Sequence, residues 1–363
     1  MRKPSMMIIW VAILLGMISA ERSGANTIEV KDLTGRQISL AAIPSRVVCL
    51  APGTLRLIVY LQAQGHIVGI EDIETRFPTS RPYWIACSEL GALPSIGPGG
   101  VHAINQEPAL EKLLSVGPDL IFISYMARDK ADDLQHKLGI PVVVLSYGPF
   151  GSFDETLYDS LRIAGKILGK DDRAEAVITF IENEKKALSA RVKDVSEKEK
   201  PTAYIGGIGF KGTQGLGSTE TSYMPLNWIE AKNAAANRGK TGHLFLDKET
   251  ILTINPEVIF VDGGGIEWIR QDFAQKKTFY LGLKAFQQKK VYTLHAHNWY
   301  ITNIGTVIAN AYTAGKILYP EQFSDIVPEV KADEIYTYLV GKPVYRKLAR
   351  NQGTLGRIPA WLK

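Results

Sequence analysis

Short apolar runs alternate with amphipathic segments along most of the chain. The runs are rich in β-branched residues and are bounded by Gly, Pro or polar residues, which is typical of buried parallel strands. They occur at residues 46–50, 66–70, 119–124, 141–146, 202–205, 257–262 and 290–294. Residues 155–195 form an almost continuous helical pattern with a break near Gly169. Strands that alternate with helices predict an α/β protein with parallel sheets.

One unit of this pattern occurs twice. Residues 111–124 are EKLLSVGPDLIFIS, and residues 249–262 are ETILTINPEVIFVD. Because the residue before Pro avoids the helical region, each unit predicts a helix that ends at Pro and leads into a strand. The repeat predicts two similar α/β lobes, joined by a long helix from Asp172 to Val195. A ligand would then bind in the crevice between the lobes, at the carboxyl ends of the strands.

The N-terminus predicts a cleaved secretory signal peptide. Arg2 and Lys3 precede an apolar run at 6–17, and small residues follow, with cleavage after Ala20 or Ala25. The run is shorter than the ~20 residues of a transmembrane helix, so an uncleaved anchor is the weaker alternative. We therefore expect a periplasmic protein. The predicted domains are a signal peptide at 1–25, an N-terminal α/β lobe at 26–158, a helical linker with the long helix at 159–199, and a C-terminal α/β lobe at 200–363.

Composition narrows the class of protein. A chain that is 45% hydrophobic and 22% charged is globular and not disordered. A net charge of +5 over 363 residues gives no reason to expect a nucleic-acid partner. Two cysteines exclude a disulfide scaffold and a four-cysteine metal site. Cys49 lies in an apolar run, so we favour two buried thiols over a disulfide between Cys49 and Cys87.

Several segments resemble the class III periplasmic binding proteins of ABC importers, which carry ferric siderophores, haem, vitamin B12 and, in some members, oxyanions. The segments are IEVKDLTGRQISLAAIPSRVVCLAPGT, PALEKLLSVGPDLIFIS, KETILTINPEVIFVDGG, and GKILYPEQFSDI with KADEIYTYLVGKPVY, the last two being similar to a C-terminal pattern of the iron-complex branch. Together they cover most of residues 28–345. The resemblance implies two Rossmann-like lobes with central parallel sheets, joined by a long rigid helix, with the ligand in the cleft between them.

The same resemblance assigns a role to the first glutamate of each repeat unit. In the family, two such acids dock onto arginine pockets of the two permease subunits, and here they correspond to Glu111 and Glu249. One carboxylate on each lobe suits a two-fold symmetric partner. The alternative is that both are ordinary acids in the first turn of a helix. We further expect a monomer without an intrinsic cofactor.

Candidate ligand contacts follow the predicted strands. Aromatic rings stack on planar chelates, and arginine or lysine neutralises an anionic complex. The predicted contacts are Tyr125, Arg128, Tyr147, Lys211, Thr213, Tyr223, His297, Asn298, Trp299 and Tyr300. Imidazole suits several transition metals, but the scattered histidines do not predict a dedicated three-histidine site. We expect His297, at most, to complete the coordination of an already chelated iron.

Two further motifs bear on the cargo. The G-x-G-x-x-G at 207–212 does not predict dinucleotide binding, because loop residues follow its third glycine. Residues 51–54 predict the start of a helix, whose free N–H groups would attract an anion. Two positions after Thr54, where the family often has an acid, this chain has Arg56.

The sequence therefore predicts a periplasmic binding protein that delivers a ferric siderophore or a similar anionic iron chelate to an ABC importer. A molybdate or tungstate oxyanion is the first alternative cargo, and haem or a corrinoid is the next. A secreted metal-dependent hydrolase that uses His295, His297 and Glu267 is the rival from another class. It lacks an HExxH motif and a nucleophile elbow, so we expect no enzyme.

Overall fold

The structure is a computed structural model that describes residues 27–77, 80–149, 151–239 and 241–362. The predicted signal peptide at 1–25 lies outside these residues. Within the described ranges, no helix is both long enough and apolar enough to cross a membrane.

The N-terminal lobe is built on a four-stranded parallel sheet. A hairpin of β1 (Ile28–Lys31) and β2 (Gln37–Leu40) precedes it, and the sheet has the order β4-β3-β5-β6. Its strands are β3 (Val47–Leu50), β4 (Ile67–Gly69), β5 (Leu120–Ser124) and β6 (Val142–Leu145). Its helices are α1 (Thr54–Tyr60), α2 (Asp72–Arg76), α3 (Pro82–Ala86), α4 (Leu110–Ser115) and α5 (Arg128–Leu138). The strands consist mainly of Val, Ile and Leu because both faces of the sheet are covered.

Two consecutive helices lead to the second lobe. Helix α6 (Glu155–Leu168) begins where the Asp154 side chain accepts a hydrogen bond from the backbone N–H of Thr156. It ends at Gly169, whose φ of 61° suits glycine. Helix α7 (Asp171–Val192) follows at once. The predicted break and the predicted long helix are both present.

The C-terminal lobe repeats the four-stranded parallel arrangement, with the order β12-β11-β7-β9. Its strands are β7 (Thr202–Gly206), β8 (Ser218–Glu220), β9 (Lys232–Asn233), β10 (His243–Phe245), β11 (Val258–Asp262) and β12 (Val291–Leu294), of which β8 and β10 form a separate antiparallel pair. Its helices are α8 (Met224–Asn227), α9 (Lys248–Ile254), α10 (Ile266–Gln275), α11 (Lys277–Leu281), α12 (Lys284–Gln287), α13 (Ile304–Leu318), α14 (Pro328–Val340) and α15 (Tyr345–Gln352). The predicted fold class is confirmed.

The sequence repeat is also a structural repeat. Helix α4 ends at Ser115 and α9 at Ile254, and shortly after each helix a residue in the left-handed conformation, Gly117 (φ 54°) or Asn255 (φ 42°), directly precedes a proline. Strands β5 and β11 then occupy the same central place in their sheets. Equivalent residues are 138 positions apart throughout the unit.

A shared core joins the lobes. One apolar cluster contains inward-facing strand residues of both sheets, such as Phe122 and Phe260, whereas the outer face of each sheet has a cluster of its own. Helix α14 packs against α1 and α3 of the N-terminal lobe, and α15 packs against α3. Any hinge motion between the lobes must therefore be small or must break apolar contacts.

Both cysteines are free and buried. Burial raises the pKa of the Cys49 thiol well above its usual range. The preference for two buried thiols over a disulfide is confirmed.

Candidate binding site at the boundary between the lobes

Arg56 is the central polar residue of the boundary. It lies on α1 of the N-terminal lobe and is fully buried. Its guanidinium donates hydrogen bonds to the backbone carbonyls of Trp299 (3.2 Å), Tyr300 (2.8 Å) and Thr302 (2.8 Å), all in the loop that follows β12. Arginine has five donors in a planar fork and can hold several acceptors at once. Arg56 therefore fastens the C-terminal loop to the N-terminal lobe.

The Arg56 charge has no close counter-charge. In the described part of the chain, no carboxylate lies within ion-pair distance of its guanidinium, and its Nε–H has no hydrogen-bond partner. The ring of Tyr83 lies 4.9 Å from the guanidinium carbon and gives partial compensation. Burial opposes the charged form, but the nearby phenol groups of Tyr147, Tyr83 and Tyr60 raise the pKa of Arg56 above its usual range, so the unpartnered Nε–H is the group of Arg56 left to meet an anion.

Tyr147 closes the other side of Arg56. Its hydroxyl donates to the backbone carbonyl of Gly53 (2.9 Å) and accepts from the Arg56 guanidinium (3.3 Å). Gly53 has a φ of 86°, and a Cβ there would collide with the side chains of Tyr147 and Ile301. The start of α1, predicted to attract an anion through free N–H groups, is thus covered by Ile301 of the opposite lobe.

Tyr300 makes a second polar contact across the boundary. Its hydroxyl donates to the Glu71 carboxylate (2.6 Å) and accepts from the backbone N–H of Gly100 (3.1 Å). The other carboxylate oxygen of Glu71 accepts from the N–H of Ala51 (3.1 Å). Burial raises the pKa of Glu71 to about 7, although these hydrogen bonds oppose the shift. Glu71 therefore exchanges a proton near neutral pH.

A buried ion pair lies next to this contact. Arg81 lies 3.3 Å from the Glu74 carboxylate, and the hydroxyl of Tyr83 donates to the same carboxylate (2.7 Å). The Arg81 guanidinium also lies 5.6 Å from the centre of the Tyr300 ring. Arg81 and Gly100 thus both contribute to the boundary around Tyr300.

The C-terminal lobe contributes two buried acids, Asp262 and Glu220. Asp262, the last residue of β11, is almost fully buried and accepts a hydrogen bond from the N–H of Gly264 (2.8 Å). Burial raises its pKa to about 7. Burial also raises the pKa of Glu220 to about 8, and the Asp262 carboxyl adds to the shift. Both groups are largely protonated donors in mildly acidic solution.

His297 lies beside Tyr223, whose pKa is raised by burial and further by Asp262 and Glu220. The histidine is fully buried, its ring centre is 5.2 Å from that of Tyr223, and neither ring nitrogen has a hydrogen-bond partner among the described residues. Burial lowers the pKa of His297 to about 4, so the ring is neutral. His295 points elsewhere, since its Nε2 lies 2.9 Å from the carbonyl of Gly353.

The geometry does not favour a protein-built metal centre. Among the described residues, no three histidine, cysteine or acidic side chains are grouped so that they could hold a metal ion. The hydrolase alternative required His295, His297 and Glu267 at one metal, but Glu267 lies on the exposed side of α10 and pairs with Arg270. The loop at 207–212 continues into further loop and not into a helix, which agrees with the rejection of dinucleotide binding.

The other predicted contacts lie at the edge of the boundary. Tyr125, Asn298 and Trp299 are half-buried, and the Trp299 ring meets that of Phe77 edge-on at 5.5 Å. A Cβ at Gly151 would lie 3.7 Å from the Asn298 side-chain nitrogen, so Asn298 also reaches the N-terminal lobe. Three further predicted contacts are exposed, namely Arg128, Lys211 and Thr213.

A small cavity adjoins Glu71. It has a volume of about 60 Å³ and lies at the carboxyl ends of β3 and β5, beneath the glycine-rich loop at 95–100. This volume holds a few water molecules. A siderophore does not fit it.

Glu111 and Glu249 occupy matching positions, as the repeat predicts. Each is exposed and lies in the first turn of its helix, α4 or α9. Within the described ranges, neither carboxylate takes part in an ion pair. Both are therefore free to meet a partner.

Comparison with known proteins decides the family. The family described as "Periplasmic binding protein" matches residues 47–297, more than half of the chain. The chain belongs to this periplasmic binding protein family. Its relatives are substrate-binding proteins of ABC transporters and not enzymes, which agrees with the expectation that this binding protein catalyses no reaction.

Two curated relatives align over nearly their whole length. The molybdate-binding protein MolA of Haemophilus influenzae is 23% identical over 325 residues, which cover 85% of this chain and 89% of MolA. YvrC of Bacillus subtilis, an uncharacterized ABC transporter substrate-binding lipoprotein, is 21% identical over 334 residues, which cover 87% of this chain and 98% of YvrC.

Solved structures share the fold. MolA bound to molybdate has a TM-score of 0.67 at 21% identity and covers 87% of this chain and 98% of its own. The periplasmic heme-binding protein HutB of Vibrio cholerae has a TM-score of 0.56 at 20% identity and covers 76% of this chain and 99% of its own. These likenesses show the architecture of the binding protein, and its iron-complex branch stays a prediction.

The sequence analysis missed several groups at the boundary. It noted Arg56 as an unusual cation but did not include it among the ligand contacts, and it did not single out Glu71 or Asp262. Asp262 could have been found from the repeat, because it is the last strand residue and aligns with Ser124. Nothing in the sequence signals that Glu71 meets Tyr300, which is 229 positions away.

Proposed function

We propose that this binding protein delivers a small metal oxyanion of the molybdate class to an ABC importer. The observation that carries the proposal is Arg56, a fully buried guanidinium at the lobe boundary without a carboxylate counter-ion in the described part of the chain. Its Nε–H has no partner among the described residues and would donate to an oxyanion, while its other N–H groups hold the carbonyls of the opposite lobe.

The space at the boundary supports a compact cargo. Tyr147, Tyr300 and His297 were predicted to face a planar chelate, but all three are buried in contacts between protein groups. The cavity of about 60 Å³ has Glu71 and Glu107 in its lining and not Arg56, so the oxyanion is proposed to lie beside Arg56 and not in this cavity. A siderophore would require the shared core of the two lobes to separate. The likeness to MolA, which is named as molybdate-binding, points the same way.

The C-terminal acids fit this cargo when they are protonated. Glu220 and Asp262 both have raised pKa values, and a protonated carboxyl donates a hydrogen bond to an anion. The neutral His297 ring supplies one further donor without adding charge. The cargo would then lie between a cation of one lobe and neutral donors of the other.

A ferric chelate, the cargo favoured by the sequence, is the second candidate. Half-buried Tyr125 and Trp299 and the exposed ring of Phe77 lie at the mouth of the boundary and would stack on aromatic arms of such a ligand. Exposed Arg128 and Lys211 would neutralise its charge. His297 would complete iron coordination only after the lobes had opened.

The remaining parts of the proposal concern the compartment and the partner. The chain would act as a monomer in the periplasm after its signal peptide is removed. Glu111 and Glu249 would dock onto cationic pockets of a two-fold symmetric permease, because one free carboxylate stands at the same place on each lobe.

Calorimetric titration of the purified mature chain tests the cargo. We expect molybdate and tungstate to bind, sulfate to bind more weakly, and ferric catecholate or hydroxamate chelates to give no heat of binding. Native mass spectrometry of protein purified without refolding provides an independent readout of any cargo that remains bound. Saturable binding of a ferric chelate, with none of molybdate, would replace the oxyanion by the second candidate.

A further inference from the structure

Each lobe exposes a leucine that its core does not use. Leu114 on α4 is 52% exposed, and Leu252 on α9 is 39% exposed. Their chain neighbours Leu113 and Ile251 are 0% and 1% exposed and fill the core positions of the same helices. Leu114 and Leu252 are 138 positions apart, so they are equivalent residues of the repeat.

These leucines share a helix face with the docking glutamates. Leu114 lies three residues after Glu111, and Leu252 lies three residues after Glu249. Residues at this spacing are neighbours on a helix surface, whereas Leu113 and Ile251 point to the opposite side. Each lobe thus presents an acid and a leucine side by side.

The two pairs lie at corresponding edges of the sheets. Each helix turns back into its strand, α4 into β5 and α9 into β11, so helix and strand run in opposite directions. The first turn of each helix therefore lies at the carboxyl end of the strands, the edge at which the cargo site also lies. Both pairs flank the boundary between the lobes.

A single exposed leucine needs no explanation, but a matched pair beside two unpaired acids does. We propose that Leu114 and Leu252 are the apolar half of the permease contact, so that each lobe docks through a glutamate and a leucine. The inference rests on the docking part of the proposed function. The partner that fits is a two-fold symmetric membrane protein with a cation beside an apolar pocket on each subunit.

The two halves of such a contact act differently. The carboxylates orient the encounter and lose strength as salt screens them, whereas leucine burial depends little on salt. Burying two leucine side chains accounts for at least about a tenfold gain in affinity. Docking that relied on the acids alone would disappear at high salt.

Site-specific photocrosslinking in cells that produce the full chain tests the contact without knowledge of the cargo. A photoreactive phenylalanine analogue replaces Leu114 or Leu252, and the matched control replaces Val330, which is 55% exposed on α14 and has no counterpart in the N-terminal lobe. We expect positions 114 and 252 to capture the same ABC permease subunit, identified by mass spectrometry, and position 330 to capture none. Failure of either repeat position to capture the permease would overturn the inference.

A second measurement distinguishes the contribution of the two glutamates from that of the two leucines. The double variant Leu114→Ser/Leu252→Ser should weaken retention of the chain on membranes that contain the permease by about tenfold or more, while Val327→Ser/Val330→Ser should leave it unchanged. If Glu111→Lys/Glu249→Lys abolishes retention but the leucine variant does not weaken it, only this inference fails. If the glutamate variant has no effect, the proposed docking itself is wrong. Absence of molybdate binding alters neither result.

Discussion

The two lobes have similar exposed residues on α4 and α9 but different residues where their central strands, β5 and β11, end. On the outside, Glu111 and Leu114 of α4 correspond in place and exposure to Glu249 and Leu252 of α9. On the inside, the repeat diverges as soon as the central strand ends. Ser124, Tyr125 and Met126 in the N-terminal lobe correspond to Asp262, Gly263 and Gly264 in the C-terminal lobe.

The proposed function would explain this difference by the partner that each surface contacts. A two-fold symmetric permease requires the same surface from both lobes. The cargo meets both lobes at once, and an anion is held best when one wall supplies charge and the other supplies neutral donors. In the proposed site Arg56 would provide the charge, and Asp262 with Glu220 would provide the neutral donors. Each prediction below changes one side of this comparison.

The largest effect is expected from Arg56→Met. The change removes the donor from the carbonyls of Tyr300 and Thr302, and each unsatisfied buried group costs about 1–3 kcal/mol. The Trp299 carbonyl keeps a hydrogen bond from the Asn303 side chain (3.0 Å). We expect a clearly lower melting temperature and no measurable molybdate binding by calorimetry.

Two variants keep this result interpretable. Arg56→Lys retains the charge but not the planar fork, so it should fold better than Arg56→Met and still bind molybdate more weakly than the wild type. Arg128→Met removes an exposed cation and should affect neither property. Unchanged molybdate binding by a folded Arg56→Met protein would contradict the proposed site.

The second effect concerns the outer surface. Glu111→Lys/Glu249→Lys should abolish cargo uptake by cells while binding of cargo to the purified chain stays within a few-fold of the wild type. Loss of one partner from an interfacial charge pair costs ~2–5 kcal/mol, which is enough to remove a transient complex. Normal uptake by the double variant would show that the symmetry of the two glutamates is not used for docking.

The third effect is a pH dependence of stability. The raised pKa values of Asp262 (about 7), Glu71 (about 7) and Glu220 (about 8) mean that the folded protein binds more protons than the unfolded chain up to these values. Stability from these groups is present at low pH and is lost as the pH rises through about 7 to 8. His295 and His297, whose pKa values are lowered to about 4, act oppositely below pH ~6.5.

Thermal melts of variants distinguish the pH dependence that comes from the carboxyls of each lobe. Between pH 6.5 and 8.5 the two histidines lose only their remaining unfolded-state protons, and the three carboxyls outweigh them, so we expect the melting temperature to fall as the pH rises. Asp262→Asn/Glu220→Gln should flatten most of this slope, and Glu71→Gln should remove a smaller part. A melting temperature that rises across this interval would show that the buried carboxyls are not the groups that control it.

The sequence was sufficient for features set by local pattern. Each of the seven predicted strand runs contains a strand, and Gly169 separates α6 from α7 because its left-handed conformation ends the first helix. The sequence did not predict the short strands β9 (Lys232–Asn233), β8 and β10, because they lack a long apolar run. Their pairing depends on neighbours in the sheet and not on their own residues.

The candidate site was harder to predict for the same reason. Residues that follow strands were expected at one edge, and His297, Trp299 and Tyr300 do lie there. The sequence could not show that Arg56 reaches carbonyls some 246 positions away, or that Tyr300 is held by Glu71. Such contacts depend on how the lobes pack against each other, and the local spacing of residues does not determine that packing.

A smaller effect is expected from Tyr300→Phe. The change removes one hydroxyl that bridges Glu71 and Gly100, which amounts to about 1–2 kcal/mol of contact across the boundary. Hydrogen exchange should become faster at residues 297–303 and near Gly100, while the cores of both sheets remain protected. The reverse pattern would mean that Tyr300 supports a lobe and not the boundary.

The smallest effect is expected from Trp299→Ala. Trp299 binds Arg56 through its backbone carbonyl, which the substitution keeps, and its ring meets that of Phe77 edge-on at the mouth. An oxyanion makes no use of a stacking ring, so molybdate affinity should change by less than about threefold at low and at high salt. A ferric chelate would behave differently, because loss of a stacked ring costs ~1–3 kcal/mol nearly independently of salt. Titrating wild type and variant with molybdate and with ferric chelates at two salt concentrations therefore distinguishes the cargoes. A chelate that binds the wild type tightly and is lost from Trp299→Ala would show that the mouth of the boundary, and not Arg56, determines what this protein carries.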